Sequence, residues 1–272
     1  MGTPPGSSGS FAAAPLPALE RVANFRELGG LATRDGRRVR RARVFRSGHW
    51  GRASAADVAA LDALGVAVVV DFRSEKDVAH EGADRLPDGC AHLHLPTADP
   101  AAHLDTRDII LSGDAALVRA HFGDGRAERS MRASAEKLAV ERTDVFGAFL
   151  AKLAEPGCPP ALFHCSAGKD RAGWAASCLL LALGVGEDDV VEHYLVSNRT
   201  YDAAMQHGAL PALPDEVLAL VRPLLQVRAE YAHAAIGAAR ARFGTLDAYF
   251  REGLGLADEQ REQLRANWLE PA

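Results

Sequence analysis

The segment PALFHCSAGKDRAGWAASCLLLALG, residues 160–184, places a cysteine, an acid and an arginine on one short turn. An apolar run enters the turn and a helical run leaves it, and the free N–H groups at the start of a helix bind anions. Gly168 and Gly173 are expected to let the backbone approach such an anion closely. The guanidinium of Arg171 can hold two phosphate oxygens at once. The turn therefore predicts a phosphate site formed by Ser166, Ala167, Gly168, Lys169, Asp170 and Arg171.

Cys165 stands at the start of this turn, where a positive field favours the thiolate, the nucleophilic form of the side chain. The spacing Cys-x5-Arg places the sulfur beneath a phosphorus atom held by the turn. The predicted reaction is transfer of a phosphoryl group to Cys165, followed by hydrolysis of the phosphocysteine by water.

Two other interpretations of the turn fit the sequence less well. A nucleotide-binding loop needs Gly-x4-Gly-Lys-Ser/Thr, whereas Asp170 follows Lys169 and the earlier glycine is missing. A structural cysteine beside a chance arginine does not account for His, Cys, Gly and Arg together in a strand–turn–helix context.

The stretch HCSAGKDRAG resembles the His-Cys-x5-Arg signature of the cysteine-dependent protein tyrosine phosphatase superfamily. The resemblance extends to NFRELGG (24–30), VFRSG (44–48), VVVDFRSEKDV (68–78), YLVSN (194–198) and VRAEYAHAA (227–235). These stretches are similar to the bacterial branch that includes the mycobacterial B-type tyrosine phosphatase and related lipid phosphatases. The similarity covers most of the chain from about residue 20 onward.

The resemblance implies roles for individual residues. Cys165 would be the nucleophile and Arg171 the phosphate clamp, while Gly168 and the turn amides would cradle the phosphate oxygens. Lys169 would favour acidic or multiply phosphorylated substrates. The family needs no metal and no cofactor, and the stretch 213–240 resembles its helical lid, although an ordinary core-packing helix pair is the alternative there.

The general acid is not fixed by a motif, because the Trp-Pro-Asp triplet of classical tyrosine phosphatases does not occur in this sequence. Asp170, within the turn, is the first candidate to protonate the leaving group, with a loop-ordering role as its alternative. Asp71, at a strand end, is the second, and its alternative is an ion pair with Arg73 or Arg46. Asp99 and Asp108 are further candidates.

Three residues are expected to support the site. His164 precedes the nucleophile and would orient the turn, or else be an ordinary buried histidine. Arg46 and Arg73 end two predicted strands, where open α/β sheets bind ligands, and surface ion pairs are the alternative. Ala172 stands where the family commonly has Ser or Thr. The missing hydroxyl predicts slower phosphoenzyme hydrolysis unless another group, such as Ser166, replaces it.

Composition narrows the class of protein. The chain has 272 residues and a net charge of -5, which argues against a general nucleic-acid-binding protein. No apolar run approaches the roughly 20 residues that span a bilayer. The four cysteines form no CxxC pair, so the sequence indicates neither a zinc site nor a disulfide framework. A reducing, cytoplasmic setting is predicted, with non-classical export left open.

Local sequence patterns predict the strands and helices that position the turn. Strands are predicted at 42–48, 65–74, 90–96 and 160–164, and a helix between the first two is capped by Ser54 and stopped by Gly65. Residues 1–19 are predicted as a disordered tail and 97–130 as a long loop. Helices are predicted at 142–155, 172–183, 187–198, 213–244 with a break at Pro223, and beyond. The fold class is α/β: one domain over 20–272 with a parallel-rich central sheet flanked by helices.

These patterns predict a metal-independent phosphomonoester hydrolase, with phosphotyrosine in proteins as the first substrate and dual or phosphoinositide specificity alongside it. A small-molecule phosphatase acting on a nucleotide-like or sugar phosphate is the alternative. A non-catalytic phosphate-binding protein is a third hypothesis, disfavoured because Cys165 and Arg171 are both present. The predicted partner is a phosphorylated protein, lipid or small molecule, with no nucleic acid and no membrane-spanning segment; the oligomeric state is left open.

Overall fold

A five-stranded sheet lies at the centre of the computed structural model, which describes residues 16–98, 106–200, 202 and 213–271. The strands are β1 (Arg26–Glu27), β2 (Val44–Ser47), β3 (Val68–Asp71), β4 (Ala91–His94) and β5 (Ala161–His164). Their order is β1-β2-β5-β3-β4; β1 pairs antiparallel with β2, and the other pairings are parallel. The predicted parallel-rich sheet is confirmed.

The parallel strands end in register at one edge of the sheet. His164 at the end of β5 lies between Ser47 of β2 and Asp71 of β3, and His94 of β4 lies beside Asp71. The segments that follow these strands therefore meet at this edge. The turn after β5 emerges at its centre, where open α/β sheets place ligands.

Helices cover both faces of the sheet. Their bounds are α1 (Ala55–Ala63), α2 (Glu75–Glu81), α3 (Thr106–Leu111), α4 (Ala115–Phe122), α5 (Arg126–Glu141), α6 (Thr143–Leu153), α7 (Arg171–Leu183), α8 (Glu187–Leu195), α9 (Asp215–Leu225), α10 (Ala229–Phe243), α11 (Leu246–Ala248) with a π-helical turn (Tyr249–Gly253), and α12 (Asp258–Trp268). Among the described residues, none of these helices combines the length and apolar character needed to cross a membrane.

Alternate residues of the central strands point to opposite cores, as the two-residue strand period requires. Phe163 of β5 joins Phe72, Phe146 and Phe149 in an aromatic cluster on the face covered by α6 and α7. Leu162 instead joins the second core, which includes residues of α1. Every residue of α7 except one is buried, so the helix that follows the turn is held firmly against the sheet.

The N-terminal prediction is wrong at its boundary. Residues 1–15 lie outside the described part of the chain, but Leu16 and Leu19 pack against the core that contains Trp50. The backbone N–H groups of the next two residues, Glu20 and Arg21, donate to the carboxylate of Asp57. Residues 16–19 therefore belong to the folded domain. Their leucines pack against residues that are distant in the sequence, so local composition does not predict the contact.

The predicted loop over 97–130 is wrong for most of its described part, which forms α3, α4 and the start of α5. Asp114 caps α4 by accepting hydrogen bonds from the backbone N–H groups of Ala116 and Leu117. Val118 of α4 is buried against Val217 and Val221 of α9. The helices form because a distant segment covers their short apolar face.

The predicted break at Pro223 is displaced toward the C-terminus. Pro223 lies in the last turn of α9, where its missing N–H costs one hydrogen bond, and the helix ends at Leu225. The chain turns at Val227, whose N–H and C=O both bond to the side chain of Asn198, at 2.8 and 2.9 Å. In the described residues, α9 packs on α4 and α5, and α10 packs on α5. The lid role of 213–240 stays a prediction.

Candidate functional site

The turn between β5 and α7 spans 165–170, and Arg171 is the first residue of the helix. Gly168 has a left-handed φ of +70°. A Cβ atom there would lie 2.3 Å from the carbonyl oxygen of Ser47 and 2.6 Å from the N atom of Gly48. Glycine is therefore required at 168 for both its conformation and its close contact with the end of β2.

The carbonyl groups of the turn are bonded on its outer side. His49 N donates to Ser166 O at 3.1 Å, and Asn24 Nδ2 donates to Gly168 O at 2.9 Å and to Ala167 O at 3.3 Å. In a trans peptide the C=O and the following N–H point in opposite directions. The N–H groups of the turn therefore face the other, concave side, which is the arrangement that binds an anion.

Arg46 also donates hydrogen bonds to carbonyl groups of the turn, and it does so from the interior of the protein. Its Nη2 donates to Gly168 O at 2.7 Å and to Lys169 O at 3.2 Å. The side chain is fully buried, and burial lowers the pKa of Arg46 to about 10, although the nearby Cys165, Tyr194 and Asp170 oppose that shift. A buried cation thus lies directly behind the turn and adds to the positive potential there.

Gly173 lies against the side chains of Tyr194 and Arg46. A Cβ atom at 173 would lie 2.7 Å from the ring of Tyr194 and 3.2 Å from Nη2 of Arg46. The expectation that Gly173 lets the backbone approach a phosphate stays a prediction. The glycine leaves room for the buried guanidinium that holds the turn.

Arg171 is 4% exposed and bonded in several directions. Its Nη1 donates to the carboxylate of Asp77 at 2.7 Å and to the carbonyl of Thr97 at 3.0 Å, and its Nη2 donates to the hydroxyl of Ser166 at 3.1 Å. Burial by itself raises the pKa of Asp77, but the charge of Arg171 and the hydrogen bonds from Arg171 and Ser74 together outweigh it, so the net pKa is lowered. The guanidinium is therefore held by a charged partner from α2.

Cys165 is 2% exposed and opens the turn. Ala172 is wholly buried one residue after Arg171, so its methyl group belongs to the core. Ser166, which stands next to the cysteine, supplies a hydroxyl that is already bonded to Arg171.

Asp170 and Lys169 form an ion pair at the rim of the turn. Lys169 Nζ lies 2.7 Å from Asp170 Oδ2, and the two side chains are 15% and 14% exposed. Asp170 occupies the N-cap position of α7, yet its carboxylate makes no capping bond to that helix. Its two predicted roles, as the general acid or as a loop-ordering acceptor for nearby amides, both stay predictions.

Asp71 and Arg73 lie behind the turn as a buried pair. Arg73 Nε and Nη2 donate to the carboxylate of Asp71 at 3.1 and 2.9 Å, and both side chains are almost completely buried. This is the ion pair given above as the alternative for Asp71, and it is buried, unlike the surface ion pair given as the alternative for Arg73. Arg73 also donates to the carbonyl of Gly82 at 3.0 Å.

His164 lies on the same side as this pair and is completely buried. Its Nε2 is 2.9 Å from Asp84 Oδ2, and its Nδ1 is 3.4 Å from the carbonyl oxygen of Cys165. Of the remaining acid candidates, Asp99 lies outside the described residues, and Asp108 is exposed in the first turn of α3.

Sequence reasoning missed Asn24, Asp77 and Asp84 as site residues. Asn24 and Asp77 lie inside stretches that carry the family resemblance, which was the available signal. Asp84 lies in an unpatterned polar segment with no such signal. Sequence patterns also gave no sign that Asp71, Asp84, His92 and His164 bring potential metal-ligand atoms within 4.8 Å of one another.

Comparison with known proteins agrees with this geometry. Residues 17–270 match the family model described as the tyrosine phosphatase family. A provisionally named tyrosine-protein phosphatase of Cupriavidus necator is 35% identical over 257 residues, covering 93% of this chain and 88% of that protein. The triple specificity protein phosphatase PtpB of Mycobacterium tuberculosis is 31% identical over 256 residues, covering 84% of this chain and 90% of that protein.

Among solved structures, TpbA of P. aeruginosa covers 74% of this chain and 90% of its own, at 20% identity and a TM-score of 0.28, too low to support a conclusion. The family match spans nearly the whole described chain and includes the turn, Cys165 and Arg171. The chain therefore belongs to the tyrosine phosphatase family.

Proposed function

We propose that this protein hydrolyses phosphomonoesters through a phosphocysteine at Cys165, with phosphotyrosine in proteins as its main substrate. The observation that carries the proposal is the outward bonding of the turn carbonyls by Asn24, Arg46 and the backbone of His49. This bonding directs the turn amides toward the space that Cys165 and Arg171 border, so bound phosphate lies in line with the sulfur.

In the first step the Cys165 thiolate attacks phosphorus, an S–P bond forms, and the bond from phosphorus to the ester oxygen breaks. Asp170 donates a proton to the leaving oxygen. In the second step water attacks phosphorus, Asp170 accepts the proton, the S–P bond breaks, and inorganic phosphate and the thiolate are released. Charge on the transferring group is met by Arg171, the turn amides and the buried Arg46, so the proposed reaction uses no metal.

Asp170 is preferred to Asp71 as the acid because of their surroundings. Asp71 is saturated by bonds from Arg73 behind the turn. Asp170 is at the rim, on the same turn as the nucleophile, and its partner Lys169 has a long flexible side chain. A substrate phosphate that attracts Lys169 would weaken this ion pair and so favour the protonated carboxyl group that donates to the leaving oxygen.

The substrate range is proposed from the relatives and from Lys169. PtpB is named as a triple specificity protein phosphatase. We extend phosphotyrosine activity to phosphoserine, phosphothreonine and phosphoinositides on that basis, with Lys169 favouring substrates that carry extra negative charge. Because Ala172 offers no hydroxyl, phosphocysteine hydrolysis is proposed to be slow enough for a burst of the released alcohol in rapid mixing.

The test measures p-nitrophenyl phosphate hydrolysis by wild type and Cys165→Ser, with and without EDTA. Cys90→Ser is the matched control, since Cys90 is half-buried and precedes β4, at the end of the parallel strands opposite the turn. We expect a loss of at least about 1,000-fold in kcat for Cys165→Ser only, because removing a nucleophile abolishes the covalent route. Activity that survives this substitution, or that EDTA removes, refutes the mechanism.

A panel of substrates then identifies the class of phosphate ester that the enzyme prefers. Phosphopeptides, phosphoinositides, sugar phosphates and nucleoside monophosphates are compared by kcat/KM. The proposal expects phosphotyrosine peptides to rank first. A sugar or nucleotide phosphate ranking first would instead make this a small-molecule phosphatase, and phosphate binding without turnover would make it a binding protein.

A further inference from the structure

We infer that Asp84 is a positioning residue that fixes the ring of His164 and, through it, the start of the phosphate-binding turn at Cys165. The inference rests on the proposed function, since it concerns how the nucleophile is held. Asp84 touches neither Cys165 nor the turn itself, and nothing in its own stretch of sequence marks it.

The carboxylate of Asp84 gathers donors from four separate segments. Oδ1 accepts from Trp50 N, which follows β2, at 3.0 Å, and from Arg73 Nη2, which follows β3, at 2.8 Å. Oδ2 lies 2.9 Å from Nε2 of His164 on β5 and 3.3 Å from Nε2 of His92 on β4. The side chain of Asp84 is 1% exposed. Its carboxylate therefore connects, within the protein, the four segments at the carboxyl ends of the parallel strands.

His164 links the Asp84 carboxylate to the nucleophile, because a fixed His164 ring also limits movement of the next residue, Cys165. The ring is completely buried and belongs to the residue that directly precedes Cys165. Because a carboxylate only accepts, the Nε2 atom facing Asp84 carries a hydrogen, an assignment made from the bonding pattern. Nδ1 lies 3.4 Å from Cys165 O and 3.7 Å from Asp71 Oδ1. The bond from Nε2 to Asp84 therefore fixes the ring, and the backbone of His164 cannot shift without breaking that bond.

The charge of Asp84 is secured by its neighbours. Burial by itself raises the pKa of Asp84, but hydrogen bonds from His164 and His92 and the charge of Arg73 hold it well below its usual range. The other titratable groups facing this cluster are Asp71, Glu81 and His49. Asp84 thus stays ionised at neutral pH and remains an acceptor.

The cluster does not call for a metal ion to balance its carboxylates. Arg73 donates to both oxygens of Asp71 and to Oδ1 of Asp84, so its guanidinium already supplies a positive charge between them. The two histidines then complete the coordination of Oδ2 as hydrogen-bond partners. The residues are satisfied as an arginine-centred network, and the inference concerns how that network orients His164.

The first test is on wild-type protein and needs no substitution. The ring nitrogens of His164 are observed by 15N NMR at neutral pH. We expect Nε2 to be protonated, with slow exchange of its hydrogen with solvent because the ring is buried. A neutral His164 with its hydrogen on Nδ1 would overturn the inference, since such a ring could not donate to Asp84.

The second test is Asp84→Asn, which keeps the shape but leaves one acceptor oxygen for donors on both sides. We expect a changed protonation pattern of the His164 ring and a fall in kcat of about 10- to 100-fold, because misplacement of a reacting group has costs of this size. KM should stay within about twofold, since the turn amides and Arg171 still bind phosphate. The pH midpoint for iodoacetate alkylation of Cys165 should also move.

Asp57→Asn is the matched control. Asp57 is equally buried and accepts backbone N–H bonds from Glu20, Arg21 and Ser54, on a part of the core away from the turn. It should lower stability while leaving kcat and the alkylation profile unchanged. If both variants lose stability alike and neither changes kcat or alkylation, Asp84 is structural and the inference fails. An inactive wild type, by contrast, would refute the proposed function while leaving the NMR result on His164 readable.

Discussion

Gly168→Ala tests the geometry of the turn directly. Two separate penalties apply at this position. A left-handed φ of +70° costs a non-glycine residue about 1–2 kcal/mol. The added methyl group would also lie 2.3 Å from Ser47 O and 2.4 Å from Ser47 C, which are backbone atoms at the end of a buried strand and cannot rotate away. Forcing an extra carbon into a packed site costs about a further 1–3 kcal/mol.

Gly157→Ala isolates the first penalty. Gly157 has nearly the same φ, +69°, but nothing lies within 4 Å of the Cβ position. Urea unfolding should therefore show Gly168→Ala to be less stable than Gly157→Ala by about 1–3 kcal/mol, the steric part alone. Should the turn move to relieve the clash, the extra loss will be smaller but kcat/KM for p-nitrophenyl phosphate will fall, because the turn amides no longer face the phosphate. Equal stability and equal kcat/KM for the two variants would refute the reasoning.

Two further predictions concern the carboxylates around the site. Asp77→Asn should lower kcat/KM for p-nitrophenyl phosphate by about 10-fold or more, because Arg171 Nη1 loses its charged partner at 2.7 Å and the guanidinium is less well oriented; unchanged kinetics would show that the carbonyls of Thr97 and Phe72 suffice. Because the pKa values of Asp77 and Asp84 are lowered in the folded protein, the stability they contribute is fully present above the unfolded carboxyl pKa of about 4 and is lost as pH falls toward their folded values. The free energy of unfolding from urea titrations should fall below about pH 4, and Asp84→Asn should flatten that fall; an identical slope in wild type and variant would contradict the assigned charge.

The elements that the sequence predicted well are those defined by their own residues. Strands at 44–47, 68–71 and 161–164 and the helix at 171–183 are dense apolar runs bounded by glycine, serine or polar turns. Ser54 caps α1 through a capping box with Asp57, which is only three residues later in the chain. Such features depend on a few consecutive residues, so one sequence is enough to read them.

The elements predicted wrongly depend on partners far along the chain. The helices within 106–130 form where Val118 meets Val217 and Val221, about a hundred residues away. The end of α9 is set by Asn198, not by the proline that the sequence displays. In each case a tertiary contact outweighs a local preference.

The candidate site also combines features set by neighbouring residues with features set by distant contacts. The sequence by itself determined which residues form the turn and the chemistry proposed for it, because Cys165, Gly168, Asp170 and Arg171 are neighbours in the chain and the proposal follows from their type and spacing. Only the tertiary structure decided what holds that turn: Asn24 and Arg46 on its carbonyls, Asp77 on its arginine, and Asp84 behind its histidine. Parallel strands in register bring their carboxyl ends to one edge of the sheet, and buried polar groups there must find partners across it, whatever their separation in sequence.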